Sequence, residues 1–179
     1  MRSVRNPQLD LRLDTAIPDA AVRWHEGASI RWLGQSLRLT LSREHAQTWR
    51  QGDALYLPLP PRATPRQIQD SAEAWLRKDA TRYLAQCITE KSALVMRQQP
   101  GQPTRQPPRL ALSFAARGDW VELLNVPTES VTTEFFTLLR CHWRLIEQPP
   151  EVIDAALDQA LRRYFSRDQS SHSLFSLHA

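Results

Sequence analysis

Gln159 and Arg163 stand one helical turn apart in the segment EVIDAALDQALRRYF, flanking Ala160, and their types suit a binding site. A glutamine amide donates and accepts hydrogen bonds, and a guanidinium can grip a carboxylate or a phosphate through two parallel N–H groups. The competing reading, which we prefer, is a solvated helix face on which Arg162 and Arg163 complement the negative end of the helix. Asp154 and Asp158 are also one turn apart. The helix start and the solvent face explain them better than an acid and base pair.

Metal or nucleophilic chemistry is harder to assemble. His142, His172 and His178 could contribute to a zinc site only if at least three ligands converged, and no spacing in the chain ensures this. His172 lies in a polar stretch and reads as a solvated side chain. Cys87 and Cys141 fall in apolar helix and strand patterns without metal-ligand spacing, so free buried thiols are expected. No glycine-rich phosphate loop or nucleophilic serine or cysteine arrangement is visible. No cofactor is therefore expected. Of the six tryptophans, Trp32, Trp75 and Trp143 occupy patterned core positions. Trp24, Trp49 and Trp120 are less constrained and are, with Arg163, the candidates for a partner interface.

The elements that must position these residues follow from periodicity. Leu138 to Ile146 carries apolar and aromatic residues at near-alternate positions and stops at Gln148-Pro149-Pro150, which reads as a strand closed by a proline break. A helix then opens at Pro150, with Glu151 and Asp154 near its positive end. Val152, Ile153, Ala156, Leu157, Ala160, Leu161, Tyr164 and Phe165 repeat at helical spacing along one buried face. Upstream, Ser29 to Leu33 and Ser36 to Leu41 alternate around Gly34 as a hairpin, and Ala54 to Leu59 adds a strand after a turn at Gly52. A small antiparallel sheet of at least three strands is expected. Thr64 caps a long amphipathic helix over 64–95, with Pro65 in its first turn and Gln67 three residues after the cap. Residues 97–109 form a Pro- and Gln-rich loop, and Arg109 to Ala115 alternates again.

The organisation is thus α+β: an arm over 1–23, one domain over 24–165 and a polar tail over 166–179. Within the domain a β-rich part spans 24–61 and a strand-helix part spans 110–165. With 179 residues, 41% hydrophobic and 23% charged, the chain fits one soluble domain with a full core. No apolar run is long enough for a membrane span, and the opening MRSVRNPQLDLRLD lacks a secretory signal pattern, so a cytoplasmic protein is expected. The net charge of +4 is scattered, which permits nucleic-acid contact without demanding it.

Trp143-Arg144-Leu145-Ile146 followed by Val152-Ile153-Asp154 resembles the approach to the active-site helix of the YgjP-like zinc metallopeptidases, which are zincin-like and SprT-related. The hairpin around Gly34 and the stretch Trp75-Leu76-Arg77-Lys78-Asp79-Ala80 resemble the first half of that family, so the resemblance covers roughly residues 24–164. It implies a zincin-like strand-helix unit whose helix carries His-Glu-x-x-His, with two zinc ligands and a general base. Here Gln159, Ala160 and Arg163 occupy those three positions, and His-Glu-x-x-His occurs nowhere in the chain. His172-Ser173-Leu174-Phe175 is similar to the segment holding the third ligand, which makes His172 a relic. Trp120 matches the tryptophan of a turn bordering the family's cleft, although the glycine and serine of that turn are missing. The resemblance implies a catalytically inactive, metallopeptidase-like protein with a protein partner. A nucleic-acid-associated module is the alternative, and a zinc hydrolase with relocated ligands ranks third.

Overall fold

The computed structural model describes residues 23–98, 106–114, 119–127 and 135–172. Residues 1–22 of the predicted arm, tail residues 173–179 including His178, and the central part of the predicted 97–109 loop lie outside them. The architecture is α+β, with two sheets joined by a long helix and closed by a second helix. Strands β1 (Ser29–Trp32), β2 (Gln35–Leu41), β3 (Trp49–Gln51) and β4 (Ala54–Leu57) form a sheet in the order β1-β2-β4-β3. The predicted hairpin is present as β1 and β2, joined by Leu33 and Gly34 at φ 47° and 75°. Two successive positive φ angles match the twist of a two-residue hairpin.

The sheet is mixed rather than purely antiparallel, because β2 and β4 run parallel from Arg38 opposite Ala54 to Leu41 opposite Leu57. Burial explains the order. Leu55 and Leu57 of β4, like Leu37 and Leu39 of β2, are fully enclosed, whereas Arg50 and Gln51 of β3 are exposed. The apolar strand therefore takes the centre, and the polar strand takes the edge, where its open backbone is solvated.

Helix α1 (Pro65–Gln98) begins as its sequence predicts: the Thr64 N–H donates to Gln67 Oε1 at 2.9 Å, and the Gln67 N–H donates to Thr64 Oγ1 at 3.3 Å. Besides the ion-paired Glu73 and Asp79, its buried residues are Ile68, Ala72, Leu76, Ala80, Leu84, Ile88 and Ser92, a stripe spaced by four throughout. At 3.6 residues per turn such a stripe advances by about 40° each step, roughly 240° from end to end. The helix is therefore not amphipathic along one fixed face. Its buried side winds round the axis, which lets a single helix pack on β4, β5, the segment after β7 and the second helix in succession.

Strands β5 (Arg109–Ser113), β6 (Val121–Pro127) and β7 (Phe135–His142) form the second sheet in the order β5-β7-β6, with β5 parallel and β6 antiparallel to β7. The strand predicted to reach Ile146 ends at His142, and Trp143–Glu147 is a 3-10 helix. His142 causes the break: its Nδ1 accepts from the Arg144 N–H at 3.2 Å, capping the new helix. Trp143, Leu145 and Ile146 are all buried. Helix α2 (Pro150–His172) then buries Ile153, Leu157, Ala160, Leu161, Tyr164 and Phe165, as its spacing predicts, and runs past Phe165 into the stretch read as tail.

The two sheets meet where the first hairpin docks on the 3-10 helix. The Leu33 N–H donates to the Ile146 carbonyl at 2.7 Å and the Gly34 N–H to the Glu147 carbonyl at 3.3 Å. Beside them Trp32 Nε1 donates to Asp79 Oδ2 of α1 at 2.6 Å, while Arg82 holds the other carboxylate oxygen. One continuous buried cluster runs from Trp24 to Phe165. No helix among the described residues is long and apolar enough to cross a membrane.

Glu147 makes this junction sensitive to pH. Burial raises its pKa, against the opposing pull of Arg144, Arg23 and Arg31. A carboxyl whose folded pKa exceeds its unfolded value favours the fold when protonated, so its ionised form weakens the fold as pH rises through and above the carboxylate range. Glu147→Gln is expected to raise the melting temperature at pH 7, with the gain shrinking toward zero below about pH 4. Thermal melts of both proteins across that range measure it.

Candidate functional site

Around the end of β7, α1 and the second sheet bring arginines and aromatic rings together. Gln69, Glu73 and Arg77 follow one another at four-residue spacing on α1. Gln69 Nε2 donates to Glu73 Oε1 at 2.9 Å, and Arg77 forms an ion pair with the other oxygen of this buried carboxylate. Held by Glu73, the Arg77 guanidinium lies 5.0 Å from the Trp143 ring centre and 5.7 Å from that of Phe114. Arg144 approaches the same tryptophan, at 5.3 Å, and pairs with Glu147 at 3.7 Å. Such cation-ring contacts are each worth roughly 0.5–1 kcal/mol at exposed sites, and more when water is excluded.

The row of rings continues through His142, 6.3 Å from Trp143, to Trp120, whose ring meets the imidazole edge-on at 5.6 Å. The His142 N–H donates to the Trp120 carbonyl at 2.9 Å, which ties the start of β6 to the end of β7. Because Nδ1 of His142 accepts the Arg144 N–H, the neutral ring carries its proton on Nε2. The outer part of the patch is Phe114, 60% exposed. Arg77 Nε is buried without a hydrogen-bond partner among the described residues.

This arrangement presents flat apolar area edged by oriented donors. Each described arginine in it has a carboxylate partner, Arg77 with Glu73 and Arg144 with Glu147, so the patch is close to charge-balanced. Rigid aromatic and arginine anchors of this kind dominate protein interfaces. Nothing in the patch is placed as an activated nucleophile.

The residues singled out from sequence are dispersed. Trp120 belongs to the patch. Trp24 does not lie at a surface: it is 3% exposed and forms part of the core, so its candidacy as a binding residue is corrected. Trp49, on the edge strand β3, is half-buried and stacks on Tyr56 with ring centres 4.3 Å apart, with His45 edge-on to it. Gln159 and Arg163 are both exposed on α2, whereas Ala160 is buried. The side chain of His172 is outside the described residues.

Asp154 and Asp158 have a role their spacing did not disclose. They receive Lys91 of α1, with Nζ 3.2 Å and 2.9 Å from their carboxylates. Burial opposes the charge on Lys91, but hydrogen bonds to the two carboxylates outweigh it, and the net pKa shift is upward. One turn before Lys91, Cys87 is a free thiol whose pKa burial raises, and burial of Cys141 pushes its thiol to about 12. Neither has the lowered pKa of a reactive cysteine.

Arg77, Phe114 and Arg144 were not singled out. Phe114 had a usable signal, since alternation places it on the face of Leu110 and Leu112, yet β5 stops at Ser113. Among the described residues no group of three His, Cys, Asp or Glu side chains is arranged to hold a metal ion. Comparisons of the chain with protein families, with curated proteins and with solved structures find no match.

Proposed function

We propose that this protein is a non-catalytic, protein-binding module built on a YgjP-like metallopeptidase framework, and that Arg77, Phe114, Trp120 and Arg144 form its partner surface, with the buried Trp143 ring supporting the two arginines from beneath. The observation that carries the reading is Phe114, an aromatic ring left largely in solvent beside the ion-paired Arg77 guanidinium. Isolated exposed apolar residues are ordinary, but one set in a row of rings and fixed arginines is the composition of an interface hot spot. The non-catalytic part of the reading rests on the sequence, in which Gln159, Ala160 and Arg163 stand at the motif positions and His-Glu-x-x-His occurs nowhere.

Charge balance favours a protein over a nucleic acid. Binding to a phosphate backbone relies on Lys and Arg side chains that neutralise phosphates and displace their counterions, whereas both arginines of this patch are already paired with carboxylates. The test is a photo-crosslinking residue in place of Phe114, with irradiation in the native host and mass spectrometry of the adducts. One discrete protein adduct, lost on Arg77→Ala, is the expected result. A nucleic-acid adduct, or none, would overturn the binding surface. Peptide hydrolysis that chelation abolishes would overturn the non-catalytic reading.

A further inference from the structure

A second feature lies 14 residues further along α1 from Arg77, about 21 Å at the helical rise, and is unrelated to the aromatic patch. Between α1 and α2 is a half-enclosed hollow of about 490 Å3. That is within the range of small-molecule sites, about 300–1,000 Å3. The apolar part of its wall is formed by Leu94 and Val95 of α1 and Leu161 and Phe165 of α2, and the rest by Lys91, Asp158, Arg162 and Ser166. Leu94 is 54% exposed and, with Phe114, is one of the two large hydrophobic residues left mostly in solvent among those described.

Charge in the hollow is separated rather than neutralised throughout. Lys91, at one end, pairs with both Asp154 and Asp158. One ammonium against two carboxylates leaves a surplus of one negative charge there. One turn further along α2, Arg162 also lines the hollow and has no carboxylate partner among the described residues. The side chains of Asp158 and Arg162 are neighbours by helical spacing, with Cβ atoms about 5–6 Å apart. The hollow therefore offers an acceptor, a donor fork and an apolar wall within reach of one small molecule.

We infer that this hollow binds a free apolar α-amino acid, its ammonium group on Asp158, its carboxylate on Arg162 and its side chain against Leu94, Val95, Leu161 and Phe165. A purely apolar ligand would make no use of either charge. A simple carboxylic acid would bring its anion close to the surplus negative charge, and an amine would leave Arg162 unused. A residue inside a peptide lacks both terminal charges, and a residue at a chain end lacks one, so the free amino acid is the matching occupant. Both charged groups face water and are screened. The expected dissociation constant is on the order of 0.1–1 mM.

Isothermal titration of the full chain with L-leucine and with L-phenylalanine tests the site, with N-acetyl-L-leucine and L-leucinamide as blocked probes. Saturable one-to-one binding is expected for at least one free amino acid, with each blocked form of leucine at least ten-fold weaker than leucine if leucine binds. Arg162→Ala, a substitution at an exposed position, is expected to weaken binding by a similar factor. Arg163→Ala, one residue along, should leave it unchanged. No saturable binding up to about ten times the expected constant would overturn the inference. So would equal affinity for free and blocked forms, or indifference to Arg162→Ala.

Discussion

Gly34→Ala is expected to cost about 2–5 kcal/mol of folding stability and to weaken the docking of the first sheet on the rest of the protein. Two effects combine. Gly34 has φ 75°, a left-handed conformation that costs an L-residue roughly 1–2 kcal/mol. A Cβ there would also meet Pro149, at 3.0 Å from both Cα and Cγ and 3.1 Å from Cβ. Backbone and ring atoms cannot swing aside, so the hairpin must lift from the 3-10 helix. That movement strains the bonds from Leu33 and Gly34 to the Ile146 and Glu147 carbonyls. Such overpacking adds about 1–3 kcal/mol.

Gly52→Ala separates the two effects. Gly52 has φ 59° in the turn between β3 and β4, but nothing lies within 4 Å of its added Cβ. Only the conformational cost, about 1–2 kcal/mol, is expected there. Urea denaturation of both variants gives the difference as a shift in midpoint. Equal losses would mean that the approach to Pro149 carries no weight in holding the sheets together.

The same junction marks how far sequence reasoning reaches. Thr64 and Gln67 announce the start of α1, because a capping box is completed within four residues. The long helix, the β1–β2 hairpin and the buried face of α2 are local patterns too, and each is present. The parallel pairing of β2 with β4 is not local. It depends on which strand is apolar enough for the centre of the sheet, and Trp49-Arg50-Gln51 did not register as a strand. Trp143 to Glu147 misled because buried residues in a 3-10 helix imitated alternation over a few positions. The capping bond from His142 that distinguishes the two exists only in three dimensions. Trp24 misled in the opposite sense, since an isolated tryptophan beside a polar arm carries no periodicity, yet it is enclosed in the core.

The candidate site was less legible than the fold. Trp120 was identifiable as an unconstrained aromatic, and Arg163 as an exposed cation, but they stand on different elements, one just before β6 and the other on α2. The patch draws on α1, the residue after β5, the residue before β6 and the 3-10 helix, so its parts are separated by tens of residues and share no motif. The pairing of Lys91 with Asp154 and Asp158 was hidden for the same reason. The aspartates advertised their own one-turn spacing, and their partner lay more than sixty residues away on another helix.

Trp143→Ala and Phe114→Ala should dissociate stability from binding, although both residues lie against the same guanidinium. Trp143 is 6% exposed, packed in the core and approached by Arg77 and Arg144. Truncating it removes a large buried side chain and leaves a cavity, a change that costs about 3–5 kcal/mol. Phe114 is 60% exposed, so its removal should change stability by no more than about 0.5 kcal/mol. At a protein interface the order reverses. An anchoring ring enclosed by a partner is worth about 2 kcal/mol or more, close to a thirty-fold loss of affinity once the crosslinked partner is in hand. Denaturation curves for both variants, set beside partner titrations for Phe114→Ala, measure the two effects separately. If Phe114→Ala destabilised the protein as strongly as Trp143→Ala, the ring would be serving the core in solution and the partner surface would lose its anchor. If it affected neither stability nor partner affinity, the arginine–aromatic row would be no more than the outer layer of the core.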